Sequence, residues 1–158
     1  MALKSYEKAK SYTYRLLGYR PRSHAEIINR LKEKGYNSQI RERLASELTA
    51  EGLIDDERFA RLWLKSRLQT SGRSISFAAR ELIQKGIDRH IAEEAACEAG
   101  KSFDEESSAR ELLKRRLKAV RGLDRQKAKQ RLYGFLRRRG FSSQIIYKLL
   151  DEILDEAY

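Results

Sequence analysis

A chain of 158 residues with 36% charged residues, a formal net charge of +11 and one cysteine is already narrowly bounded. No apolar run approaches the roughly 20 residues of a membrane span. Cys97 alone can make neither an internal disulfide nor a cysteine metal cluster, and His24 and His90 lie far apart in sequence. The opening Met1-Ala2-Leu3-Lys4-Ser5-Tyr6-Glu7 lacks an apolar export core, so a cytoplasmic monomer without metal or cofactor is expected. One Pro and an abundance of Ala, Leu, Glu, Lys and Arg favour helix almost throughout.

The first helix is expected from about Ser5 to Leu17, with Ala9, Thr13 and Leu17 on one stripe, Tyr6, Tyr12 and Leu16 widening it, and Gly18 ending it. Arg20-Pro21-Arg22 is a connector, because Pro disfavours helix at the residue before it. Ser23-His24-Ala25-Glu26 spells a capping box for a second helix that carries Ile27 and Leu31 and stops at Gly35. The third starts at Asn37, aligns Ile40, Leu44 and Leu48, and ends near Gly52. The pattern then restarts. Asp55-Asp56-Glu57 puts three carboxylates in a first turn, where the macrodipole favours negative charge. Ala60, Leu64 and Leu68 repeat the spacing of Ala9, Thr13 and Leu17, and Arg73-Ser74 stands where Arg22-Ser23 stood. After Gly86 the stripe is Ile91, Ala95 and Ala99, closed by Gly100. A last unit opens near Asp104 with Ala109, Leu113 and Leu117. Its connector is longer: Leu117 to Leu136 spans 19 residues where Leu68 to Leu82 spans 14. Ile145, Leu149 and Ile153 form the final stripe.

One phrase recurs: Leu31-x-x-x-Gly35-Tyr36-Asn37-x-x-Ile40, Leu82-x-x-x-Gly86-Ile87-Asp88-x-x-Ile91 and Leu136-x-x-x-Gly140-Phe141-Ser142-x-x-Ile145. Each copy ends one helix at a left-handed Gly, packs the next apolar residue back on it, and caps the following helix with a side-chain oxygen. The fold expected is all-α: about nine helices in three tandem three-helix repeats over 1–53, 54–103 and 104–158, stacked into an elongated, curved array. Each unit buries little by itself, so stacking should supply much of the stability.

Arg20-x-x-Ser23-x-x-Glu26-Ile27-x-x-x-Leu31-x-x-Lys34-Gly35-Tyr36 resembles the opening signature of RecX proteins, bacterial regulators of the RecA recombinase. Ile54-Asp55-Asp56-Glu57-Arg58-Phe59-Ala60 is similar to that family's most characteristic motif, and Glu81-Leu82-x-x-Lys85-Gly86-Ile87 and Leu136-Arg137-Arg138-Arg139-Gly140-Phe141 to its two later ones. The resemblance implies a crescent of three helical repeats that binds the RecA–DNA filament and inhibits its ATPase, strand-exchange and coprotease activities, with no catalytic residues. The chain departs from the family at Phe77 and Ala78, where a basic residue and an Ile are common. Residues 53–100 are also neutral overall, so no basic contact surface is expected on the middle repeat.

The candidate contact residues are Arg110, Lys114, Arg115, Arg116, Lys118, Arg121, Arg125, Lys127, Lys129, Arg131, Arg137, Arg138 and Arg139. Within 110–139 only Glu111 and Asp124 oppose these 13 cations, leaving a net +11. Such a field points to nucleic-acid phosphate or to an acidic protein surface. The plainer alternative is a solvated helix face. Asp55, Asp56, Arg58 and Phe59 form a second, family-signature surface, although capping explains Asp55, dipole stabilisation its acidic neighbours and packing Phe59. Tyr133, between Arg131 and Arg137, is the one tyrosine placed to stack a base. Cys97 is expected to be a buried thiol. No metal set, nucleophile–base pair or phosphate loop is present, so no enzyme is expected. Two readings follow: a regulator of the RecA filament, and a nonspecific DNA-binding module acting without RecA. An adaptor for an acidic protein is a weaker third.

Overall fold

The computed structural model describes the backbone of residues 2–157 and the side chains of 4–155; Met1 and Tyr158, at the ends of the expected first and third repeats, lie outside the described residues. Among the described residues there are nine α-helices and no strand. They are α1 (Ala2–Tyr19), α2 (His24–Glu33), α3 (Ser38–Ala50), α4 (Asp56–Gln69), α5 (Ile75–Gln84), α6 (Arg89–Ser102), α7 (Glu105–Leu117), α8 (Arg125–Arg137) and α9 (Ser143–Ala157). The longer connector before α8 winds into a 3-10 turn, Lys118–Val120, and Asp124 then caps α8 by accepting from the Lys127 amide at 3.0 Å.

The recurring phrase folds as its chemistry requires. Gly35, Gly86 and Gly140 have φ of 81°, 82° and 90°. The residue after each donates to the Leu carbonyl five positions back: Tyr36 to Leu31 and Ile87 to Leu82 at 3.1 Å, and Phe141 to Leu136 at 3.4 Å. Asn37 Oδ1 then accepts from Ile40, Asp88 Oδ1 from His90 and Ser142 Oγ from Ile145, starting α3, α6 and α9. At α2 the capping box closes both ways between Ser23 and Glu26.

Several expected boundaries move. Gly18 does not end α1, which runs on to Tyr19 and is stopped by Arg20-Pro21; Gly100 likewise lies inside α6. A glycine whose φ stays helical is no terminator, only a weaker helix residue. In the stripes of α6 and α9, Ala95, Leu149 and Ile153 are buried as expected, but the other members are not. Ala92 and Ala95 are buried while Ile91 and Ala99 are only partly so, and in α9 Ile146 is buried rather than Ile145. Cys97 lies on the outside of α6, so the expected buried thiol is an exposed one.

The buried side chains gather into clusters, one formed by the first repeat with Ile54 and one within the third. Tyr6, Ala9, Ile27, Leu31, Leu44, Leu48 and Ile54 make one. Ala109, Leu113, Val120, Ala128, Leu132, Leu136, Phe141, Ile146, Leu149, Leu150, Ile153 and Leu154 make a larger one. The expectation that each unit buries little alone therefore does not hold for the third. The chain divides into two compact units: Met1–Leu62 with Glu81–Ala95, and Trp63–Arg80 with Ala96–Tyr158. The middle repeat contributes Ile54, Phe59, Ala60, Leu82, Ile87, Ala92 and Ala95 to the first and Leu64, Leu68 and Ala78 to the second.

Inside each unit one junction recurs. In the first, Asp56 Oδ1 at the start of α4 accepts the His24 amide at the start of α2, at 2.8 Å. In the second, Glu105 Oε1 at the start of α7 accepts the Ile75 amide at the start of α5, at 2.7 Å. The turn glycine of the later repeat abuts the same helix end. A Cβ on Gly86 would stand 2.5 Å from the Ala25 Cβ, and one on Gly140 2.5 Å from the Phe77 Cβ and 2.6 Å from Ser74 Oγ.

Candidate functional site

The basic window spreads over α7, the 3-10 turn and α8, and in space it is not as unopposed as its sequence suggests. Carboxylates from α9, outside the window, reach into it. Arg110 meets Glu152 at 2.6 Å and Glu106 at 3.4 Å, Lys129 meets Asp151 at 2.6 Å, and Arg125 pairs with Asp155. Arg115 and Lys127 have the weaker local partners Glu111 at 3.7 Å and Asp124 at 3.2 Å. Lys148 also binds Glu106, so that carboxyl is held below its ordinary value, first by the Lys148 hydrogen bond. Among the described residues Lys114, Arg116, Lys118, Arg121, Arg131, Arg137, Arg138 and Arg139 make no ion pair. These are the cations that remain available to an outside anion.

Three of them converge where α8 ends. The Arg139 guanidinium lies 4.1 Å and that of Arg116 5.3 Å from the centre of the Phe135 ring. Arg138 folds back along α8 over Gly134, where an added Cβ would come within 3.1 Å of its Nη1. A fourth arginine, which sequence reasoning missed, joins them. Arg73, just before α5, donates from Nη1 to the Arg138 carbonyl at 2.9 Å, and its guanidinium stands 4.4 Å from the centre of the Phe77 ring. The adjacent Ser74 amide donates to the Arg139 carbonyl at 3.0 Å. Burial, and then the charges of Arg73, Arg116 and Arg138, lower the Arg139 guanidinium below its usual value. Its Nε is buried without a hydrogen-bond partner. The neutral charge balance of residues 53–100 hid this, because a count does not say which cation stands beside which. The only available signal was the equivalence of Arg73-Ser74 with Arg22-Ser23.

The family-signature residues are mostly occupied. Asp55 Oδ1 caps α4 through the Arg58 amide at 2.8 Å, Asp56 caps α2, and Phe59 is buried. Arg58 is exposed and makes no ion pair among the described residues. Tyr133 is half-buried: its hydroxyl lies 3.1 Å from Ser143 Oγ and its ring 5.2 Å from that of Tyr147, which is 50% exposed. Among the described residues no group of three or more His, Cys, Asp or Glu could hold a metal ion, and no helix is long and apolar enough to cross a membrane.

Three RecX profiles match the chain in order: the first three-helix domain over residues 9–48, the second over 55–95 and the third over 104–150. The regulatory protein RecX of Amycolatopsis mediterranei is 39% identical over 151 residues, covering 96% of this chain and 86% of that one. The chain belongs to the RecX family. The regulatory protein RecX of Streptomyces lividans is 33% identical over 150 residues, covering 95% and 79% of the two chains. A RecX crystal structure from Lactobacillus salivarius superposes with a TM-score of 0.82 at 21% identity, covering 97% of this chain and 98% of that one. The all-α fold of three tandem three-helix domains is thus the RecX fold, and the role is that of a regulatory protein rather than an enzyme.

Proposed function

We propose that this protein is a cytoplasmic, monomeric regulator that binds the RecA–DNA filament and inhibits its ATPase, strand-exchange and coprotease activities. Its three repeats, 1–53, 54–103 and 104–158, would present the basic third repeat to the filament. The observation that carries the reading is the set of cations without ion pairs on α7, the 3-10 turn and α8, on a chain of the RecX family. Cations near phosphates or acidic side chains draw a partner in over a distance, and they fix its register once it is bound. Contact with DNA is nonspecific on this reading, because few Asn or Gln stand among the cations to read base edges.

RecA-dependent ATP hydrolysis on single-stranded DNA, with this protein titrated in, tests it. The parent should inhibit. A variant with Lys114, Arg115, Arg116, Arg137, Arg138 and Arg139 all changed to Glu should not. Equal inhibition by both would keep the regulator and move its contact elsewhere, Arg58 being the first place to look. No inhibition by either would leave a DNA-binding module that acts without RecA.

A further inference from the structure

Besides the carboxylate that accepts a helix-start amide, Asp56 in the first unit and Glu105 in the second, the first junction holds a further one, Glu26, and the second has no counterpart to it. In the first unit Glu26 receives two hydrogen bonds of 3.0 Å from Arg20 and one of 3.3 Å from Lys85. Burial works against that charge, but Arg20 and Lys85 outweigh it and hold the carboxyl below its usual range. Phe77 occupies the position of Glu26 in the next repeat, and Arg139 that of Lys85. The second unit thus keeps a cation at the Lys85 position, has Ser71 in place of Arg20 and Arg73 in place of Arg22, adds Arg116 and Arg138, and has no carboxylate at the Glu26 position. Arg73, Arg116, Arg138 and Arg139 make no ion pair among the described residues.

We propose that these four arginines form a phosphate clamp, through which the protein grips the phosphodiester backbone of a nucleic acid directly. This deepens the filament reading, on which it rests for the presence of DNA. Three observations carry it. The guanidiniums are held before any ligand arrives: Arg116 and Arg139 on the Phe135 ring, Arg73 on Phe77 and the Arg138 carbonyl, and Arg138 over Gly134. Guanidinium forks match phosphate oxygens bidentately, and less ordering is lost per bond when they are preorganised. One Arg and one Lys suffice for the Glu26 carboxylate, whereas the donors of four guanidiniums, about five each, exceed the roughly four acceptor sites of a single carboxylate. Lys114, Lys118 and Arg121, in the same stretch of chain as Arg116, also make no ion pair among the described residues, which suits a partner with more than one anion.

The test is fluorescence anisotropy of a labelled oligothymidylate bound by the full chain without RecA, repeated over a range of salt. The parent should bind. Phe77→Glu, which installs the carboxylate of the first junction without removing a cation, should weaken binding about tenfold or more, and a loss of roughly 0.7 in the log–log salt slope is expected for each phosphate released. Arg73→Gln with Arg139→Gln should act in the same direction, and thermal melting shows whether either variant is folded. A folded Arg73→Gln/Arg139→Gln protein that binds like the parent overturns the proposal. So does displacement of the oligothymidylate by poly-L-glutamate at equal charge concentration, which would give the cluster to an acidic protein surface. RecA ATPase assays on the same variants separate the two levels. Loss of inhibition with oligothymidylate binding intact overturns the clamp and keeps the filament reading.

Discussion

A methyl group added to Gly86 would stand 2.5 Å from the Ala25 Cβ, and one added to Gly140 2.5 Å from the Phe77 Cβ, whereas one added to Gly35 meets nothing within 4 Å. All three glycines have positive φ. Gly35→Ala should therefore cost only the left-handed strain of about 1–2 kcal/mol. Gly86→Ala and Gly140→Ala add overpacking against a neighbouring helix end and should cost about 3 kcal/mol each. Denaturant titration of the three variants checks the order. The backbone need was legible in the recurring phrase, but the close approach was not, because nothing local says which helix end lies above a turn. Glu26 offers a second check. Its folded carboxyl titrates below its unfolded value, so the contribution is complete above the unfolded carboxylate range and is lost as pH falls through the folded value. Glu26→Gln should cost about 1 kcal/mol near neutrality, and the melting-temperature gap to the parent should close as the solution is acidified below the carboxylate range.

At the scale of elements, α9 emerges as the counter-charge of α7 and α8. Asp151 and Asp155 hold Lys129 and Arg125 in exposed pairs, which contribute little to stability. Their effect is on charge availability. Asp151→Asn with Asp155→Asn should leave thermal stability nearly unchanged, tighten nonspecific DNA binding, and steepen the log–log salt slope by about 1–2. Anisotropy at several salt concentrations checks this. Such pairs span 22 and 30 residues, so a windowed charge count could not reveal them. The helices themselves were readable because caps are local chemistry: Ser23, Asn37, Asp55 and Asp104 each bond an amide three residues on. On α6 Ala95 is buried as its spacing predicts, but Ala92 is buried in place of Ile91, because an alanine-rich helix offers small residues on more than one face and packing chooses between them.

For the whole molecule, the period of the sequence and the compact unit are different things. Motifs repeat three times, yet buried contacts gather into two units whose boundaries pass through α4, α5 and α6. Native-state hydrogen exchange should register this. Amides of α4 before Trp63 are expected to follow α2 and α3 in their opening, and those from Trp63 onwards to follow α7 to α9. A single protection profile along all of α4 would count against it. The division also bears on how such a chain can change over generations. Repeat proteins ordinarily gain or lose units by recombination at motif boundaries, since each unit touches only its neighbours. Here excision of 54–103 would strip Ile54, Phe59, Ala60, Leu82, Ile87, Ala92 and Ala95 from one unit and Leu64, Leu68 and Ala78 from the other in a single event. Loss of the middle repeat would therefore leave neither core whole, so recombination at motif boundaries should be poorly tolerated.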